Sequence, residues 1–179
     1  MKVLITGGLF QIGSHVAELL LNKNNKVFII DNLKTGRSIN LRPHKNLKIS
    51  KHGIDNKTVL EEIFNEFHPE IVVHAAASYK DPNDWYSDTI SNCVGGSNVI
   101  NLSKKFDVKR FIYFQTALCY GLKPEQNPIP IDYKRDPQGS SYAISKTTNE
   151  LYLELSGLDY VTFRLANVIG PRNMAGPLP

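Results

Sequence analysis

Thr6-Gly7-Gly8-Leu9-Phe10-Gln11-Ile12-Gly13 lies between an apolar run, Lys2–Thr6, and an apolar-periodic stretch, Ile12–Asn22. A strand that passes through glycines directly into a helix makes a nucleotide-binding turn. The tight turn lets backbone approach a pyrophosphate, and the helix N-terminus offers free N–H groups and the positive end of its dipole. In a G-x-x-G-x-x-G run the middle glycine would fall at position 10, where this chain has phenylalanine. The Phe10 side chain is expected to occupy space where only hydrogen lets backbone meet the phosphates. On that reading Phe10→Gly tightens cofactor binding by about 1–2 kcal/mol, the worth of one regained charge-assisted contact.

Working outward, the pattern alternates. Lys26–Asp31 reads as a strand, nearly continuous in apolar residues as buried parallel strands are, and Leu47–His52, Glu70–Ala76, Arg110–Phe114 and Tyr160–Leu165 read as further strands. Ile12–Asn22, Lys57–Phe67, Thr89–Lys105 and Ser140–Leu155 read as helices. Ile12, Val16, Leu19 and Leu20 share one face of the first, and Val59, Leu60, Ile63, Phe64 and Phe67 turn inward from the second. Residues 122–138, with four prolines, read as a loop. This alternation predicts a doubly wound parallel α/β sheet of the Rossmann type, in three α/β/α layers. Gly7, Asp31, His74–Ala77 and Thr116 then fall at or just beyond the carboxyl ends of strands, where such sheets bind ligands.

Composition narrows the function. The chain has 179 residues, enough for one full core, and a net charge of +4. Its lysines are scattered rather than clustered with aromatics, which argues against nucleic-acid binding. Cys93 and Cys119 sit in apolar segments and suggest free thiols of a reducing, cytoplasmic protein. The five histidines show no metal spacing, and no apolar run reaches the length of a membrane span. The chain ends on Gly-Pro-Leu-Pro with no last helix, so the expectation is a dinucleotide-binding domain over 1–166. Residues 167–179 are then the start of a truncated sugar-nucleotide-binding region.

Three features carry chemistry. Asp31 ends the second strand; an acidic group there accepts bonds from the adenosine ribose and repels a 2′-phosphate, favouring NAD over NADP. Tyr142 and Lys146 are four apart on one helix face. A cation beside a phenol favours the phenolate, and a phenolate near a bound alcohol is a general base. Thr116 ends the fifth strand, where a hydroxyl can bond the reacting oxygen. Each feature alone also fits a turn aspartate, a surface tyrosine packed on a lysine stem, or a β-branched strand end.

Together the Thr6–Gly13 turn, Asp31-Asn32, His74-Ala75-Ala76-Ala77, Asn92 with Gly95, Thr116 with Tyr120-Gly121, Tyr142/Lys146, and Arg164–Val168 before Gly170-Pro171 resemble the extended short-chain dehydrogenase/reductase family. The likeness is to its NAD-dependent nucleotide-sugar epimerases and dehydratases. The resemblance implies NAD contacts at Gly7, Phe10, Gln11, Ile12, Gly13, Asp31, Asn32, Gly36, Gly53, Ile54, Ala75, Ala76, Ala77, Asn92, Tyr142 and Lys146. It implies that Tyr142 is the base, that Lys146 lowers its pKa and binds the nicotinamide ribose, and that Thr116 bonds the sugar O4. Asn167 would touch the sugar nucleotide, and Asn92 would brace strand and helix.

The family's dehydratases carry Asp-Glu where this chain has Ala117-Leu118, so the sequence is more similar to the epimerases. The implied chemistry resembles that of UDP-glucose 4-epimerase, and some segments resemble enzymes of bacterial O-antigen clusters. Two readings stay open beside it: a dehydratase or reductase on the same scaffold, and a non-catalytic NAD(H)-binding module. His52-Gly53 stands where the family has Gly-Asp, so an adenine contact is missing unless Asp55 replaces it. Many relatives pair helices 89–105 and 140–155 between subunits, which implies a homodimer.

Overall fold

A computed structural model describes residues 1–173. Six strands, β1 (Lys2–Thr6), β2 (Lys26–Ile30), β3 (Leu47–Ser50), β4 (Ile71–His74), β5 (Arg110–Thr116) and β6 (Tyr160–Leu165), form one sheet. Every pairing is parallel and the order is β3-β2-β1-β4-β5-β6. Strand order therefore reverses between β1 and β4, the crevice where doubly wound sheets bind ligands. The central strands β1, β2 and β4 are apolar on both faces because both faces are covered, whereas the edge strands β3 and β6 are only partly buried. Leu4, Ile30, Val72, Phe111 and Tyr113 pack on one side with α2 (Lys57–Phe67) and two further helices, α4 (Gly96–Lys105) and α5 (Ser141–Ser156). Val3, Ile5, Val27, Ile29 and Val73 pack on the other with α1 (Gln11–Asn22).

The expected class and all six strands are present, with boundary shifts. β2, β3 and β4 end one or two residues early, and β5 runs on to Thr116. The face of α1 differs from the expectation. Its buried residues are Gln11, Gly13, Ser14, Ala17 and Leu21, whereas Leu19 is 63% exposed. The reason is close approach: a Cβ on Gly13 would lie 2.2 Å from the Gly7 carbonyl oxygen. The helix sits on the turn through its smallest side chains; of the expected face, Val16 and Leu20 still pack partly buried against the core, and Leu19 turns to solvent. The helix expected from Thr89 begins earlier, as α3 (Trp85–Asp88), because the Asp84 carboxylate caps it at Ser87 N–H. A π-helical stretch, Thr89–Gly95, joins α3 to α4.

Beyond β6 the chain returns to α1. Gln11 Nε2 donates to the Gly170 carbonyl at 3.4 Å, and Arg172 pairs with Glu18 at 2.7 Å. Of the segment expected to begin a sugar-nucleotide region, Asn167, Val168, Ile169 and Asn173 line the cleft, 170–172 rest on α1, and 174–179 lie outside the described residues.

Candidate active site

A cleft of about 1020 Å³ opens at the carboxyl ends of the strands. That is at the upper end of ordinary ligand sites. Gly7, Phe10, Gln11 and Ile12 line one stretch of it, followed by Asp31, Asn32, Gly53 and Ile54, then Ala75–Ala77, and then Thr116, Tyr142, Lys146 and Asn167. Of the expected residues, Gly13, Gly36 and Asn92 are not on the wall. Gly13 sits behind the turn, and Gly36 backs the Asp31 carboxylate, which a Cβ there would meet at 2.7 Å.

The turn is built for close backbone. Gly7 has φ of +66°, and its Cβ position lies 2.6 Å from the amide nitrogen of Ala76. Helices α2 and α5 are capped by the Asn56 and Ser140 side chains, as α3 is by Asp84. The cap of α1 is Phe10, which offers no acceptor, so its first-turn N–H groups take no side-chain cap. These features fit an anionic ligand. Phe10 itself has φ of −100° and ψ of −174°, extended backbone that any residue adopts. Its ring lies 6.2 Å from that of Tyr79. The position therefore shows no conformational need for glycine.

Asp31 is buried and already employed. Oδ2 accepts from Leu9 N–H and Oδ1 from Leu33 N–H, each at 2.9 Å. It ties the glycine turn to the loop after β2. Each carboxylate oxygen keeps a further acceptor site, so the carboxylate can still receive a hydroxyl from the cleft.

Thr116 caps the 3₁₀ turn Ala117–Tyr120: its Oγ1 accepts from Leu118 N–H at 3.2 Å. The hydroxyl hydrogen stays available to donate. Thr116 N–H donates to Gln115 Oε1 at 2.8 Å, and Gln115 Nε2 donates to Glu150 at 3.0 Å. Arg164 closes the network on Glu150 at 2.7 Å. β5, β6 and α5 are thus locked together under the threonine.

Tyr142 lies in the first turn of α5 and Lys146 one turn on. The lysine is 2% exposed, with Nζ 4.3 Å from the centre of the Tyr113 ring. Tyr113 Oη donates to the Lys146 carbonyl at 2.8 Å, and His74 stacks on the same ring at 5.5 Å. Burial pulls the ammonium down to about 7. Burial, then Tyr79 and Asp88, push the Tyr142 phenol up to about 12. Lys146, expected to lower the phenol's pKa, is not among the groups that shift it; burial sets the direction. Desolvation dominates both groups, and the ammonium sits over Tyr113.

The lysine should tie stability to pH. An amine whose folded pKa is lowered leaves the unfolded chain binding the extra proton between about pH 7 and 10.5, so its contribution improves as pH rises through that window. Relative to Lys146→Met, the unmodified chain should gain on the order of 2 kcal/mol between about pH 7.5 and 9. Urea unfolding of both proteins at the two pH values measures this. Parallel curves would mean that the ammonium is solvated.

Asn92 works behind the wall. Its Oδ1 accepts from Ser78 N–H at 2.8 Å, and Nδ2 donates to the Ser78 carbonyl and to Ser145 Oγ, both at 2.9 Å. It pins the loop after β4 to α5. Thr35, Tyr79, Asp81 and Pro82 also line the cleft and were not expected. They come from loops without periodicity, and nothing in their spacing marks them.

The model of the NAD dependent epimerase/dehydratase family matches residues 3–178. A UDP-glucuronate 4-epimerase of Thermodesulfobacterium geofontis is 34% identical over 188 residues, covering 94% of this chain and 56% of that protein. The structure of Bordetella bronchiseptica WbmH in complex with NAD+ superposes with a TM-score of 0.96 at 58% identity, over 98% of this chain and 59% of that one. A Thermotoga maritima UDP-glucose 4-epimerase with UDP-glucose gives 0.91 at 34% identity, over 96% and 57%. The chain spans about half the length of the curated relatives it matches. With its 3-2-1-4-5-6 sheet, glycine turn and cleft, this chain belongs to the NAD-dependent epimerase/dehydratase family.

Proposed function

We propose that this chain provides the cofactor-binding half of an enzyme that inverts C4 of a nucleotide sugar, with UDP as the nucleotide. The observation that carries the reading is one continuous cleft with Asp31 at one end and Thr116, Tyr142 and Lys146 at the other. In that cleft Asp31 would hold the adenosine ribose of NAD, the turn Gly7–Gly13 its pyrophosphate, and Tyr142 and Lys146 its nicotinamide ribose. The bound dinucleotide supplies a reversible hydride acceptor. Thr116 donates to the sugar O4, and Tyr142 takes the O4 proton and later returns it to the inverted alcohol. Lys146 orients the ribose and contributes positive charge when protonated. Ala117 is small and Leu118 is 40% exposed and apolar, so no carboxylate beside Thr116 promotes loss of water. That favours epimerisation over dehydration.

Synthesis of a surface polysaccharide in the cytoplasm suits this chemistry, and the two unpaired thiols suit a reducing compartment. Among the described residues, no helix is long and apolar enough to cross a membrane. Exposed Val94, Ile144, Leu151, Tyr152 and Leu155 on the π–α4 and α5 helices support a homodimer through that face.

The Asp31 site predicts selectivity. Calorimetric titration should give NAD at least about tenfold tighter binding than NADP, since burying a phosphate against a carboxylate costs more than about 1.4 kcal/mol. Equal affinities would refute the placement of the adenosine end.

A further inference from the structure

Phe10, Tyr79 and Tyr142 form an aromatic row along the cleft wall. Phe10 and Tyr79 have ring centres 6.2 Å apart at 39°, and Tyr79 and Tyr142 are 6.3 Å apart at 60°. Both spacings fall in the range of favourable tilted aromatic pairs. The row starts at the cap of α1 and ends at the phenol of α5. On the cofactor reading above, on which this inference rests, the dinucleotide runs between those two points. Tyr79 is 41% exposed and lines the cleft from a loop instead of filling the core. Phe10 keeps ordinary extended backbone, so what its departure from glycine adds is a ring.

We propose that Phe10 and Tyr79 form an aromatic clamp over the bound dinucleotide that slows its release. The pair covers the stretch from pyrophosphate to nicotinamide ribose, and Tyr142 braces Tyr79 from the far side. Retention suits the chemistry: a hydride taken from a sugar and returned to the same sugar requires the reduced cofactor to stay in place meanwhile. The phenylalanine in the glycine turn is then a retention device, the reverse of an obstruction.

The test is the release rate of NADH from the chain, followed by stopped-flow fluorescence on mixing with excess NAD. Phe10→Leu and Tyr79→Leu keep apolar volume but lose the ring, and each should speed release about 3- to 10-fold. The double variant should release little faster than either single one, because both break the same contact. Tyr79→Phe keeps the ring and should match the unmodified chain. Unchanged release in both single variants, or effects that multiply in the double, would overturn the clamp while leaving the cofactor site standing. Failure of the unmodified chain to bind NADH would overturn the cofactor reading, and the clamp with it.

Discussion

Tyr142→Phe is expected to lower sugar epimerisation by about 10²–10⁴-fold in a catalytically active protein containing this chain, while dinucleotide affinity changes little. Phenylalanine preserves the contact with Tyr79 and the packing of the first turn of α5. What it removes is the only atom of that side chain able to take a proton. Burial pushes the phenol up to about 12, so it is neutral at physiological pH and needs positive charge nearby to serve as a base. Lys146, one turn away and lowered to about 7 by burial, gains its proton more readily when an anionic ligand enters. Activity should therefore rise with pH from the acid side. Rates and dinucleotide affinities measured side by side check this, and a loss of only a few-fold would assign the proton to another group.

Gly13→Ala is expected to cost at least about 2–3 kcal/mol of stability and to abolish dinucleotide binding. The added methyl would sit 2.2 Å from the Gly7 carbonyl oxygen and 2.8 Å from the Gly8 Cα, both backbone atoms. No side chain can swing away, so α1 must lift from the turn. That displaces the uncapped N–H groups and breaks the fit of Ala17 and Leu21 to the sheet. Gly7→Ala should fail similarly, through its positive φ and the 2.6 Å approach to Ala76. Urea unfolding together with NAD titration measures both effects. A variant that unfolds at the unmodified midpoint would show that the turn has room to spare.

The sheet was legible because its strands are short apolar runs separated by amphipathic helices, and that alternation permits few topologies. The site was legible where local chemistry is rigidly placed: a glycine turn at a strand end, an acid ending the next strand, and two residues four apart on a helix. What escaped the sequence depends on contacts between distant segments. The buried face of α1 is chosen by how near Gly13 comes to Gly7, and hydrophobic periodicity carries no such information. The bracing role of Asn92 came with the family resemblance, but its partners, Ser78 in the loop after β4 and Ser145 on α5, are far from it in the chain and only the fold brings them together. The positions of both catalytic candidates on α5 were readable. Their protonation was not, because burial outweighs the pairwise attraction that spacing suggests. Tyr79 comes from an aperiodic loop, and only its ring contacts with Phe10 and Tyr142 give it a role.

A crystal structure of this chain grown with NAD is the most direct measurement of whether the cleft is a dinucleotide site ending at a catalytic phenol. The adenosine ribose should hydrogen-bond Asp31, the pyrophosphate should meet the N–H groups at the start of α1, and the nicotinamide ribose should lie within reach of Tyr142 Oη and Lys146 Nζ. A dinucleotide bound in the reverse sense, bound away from Asp31 and Tyr142, or absent at saturating concentration would contradict it.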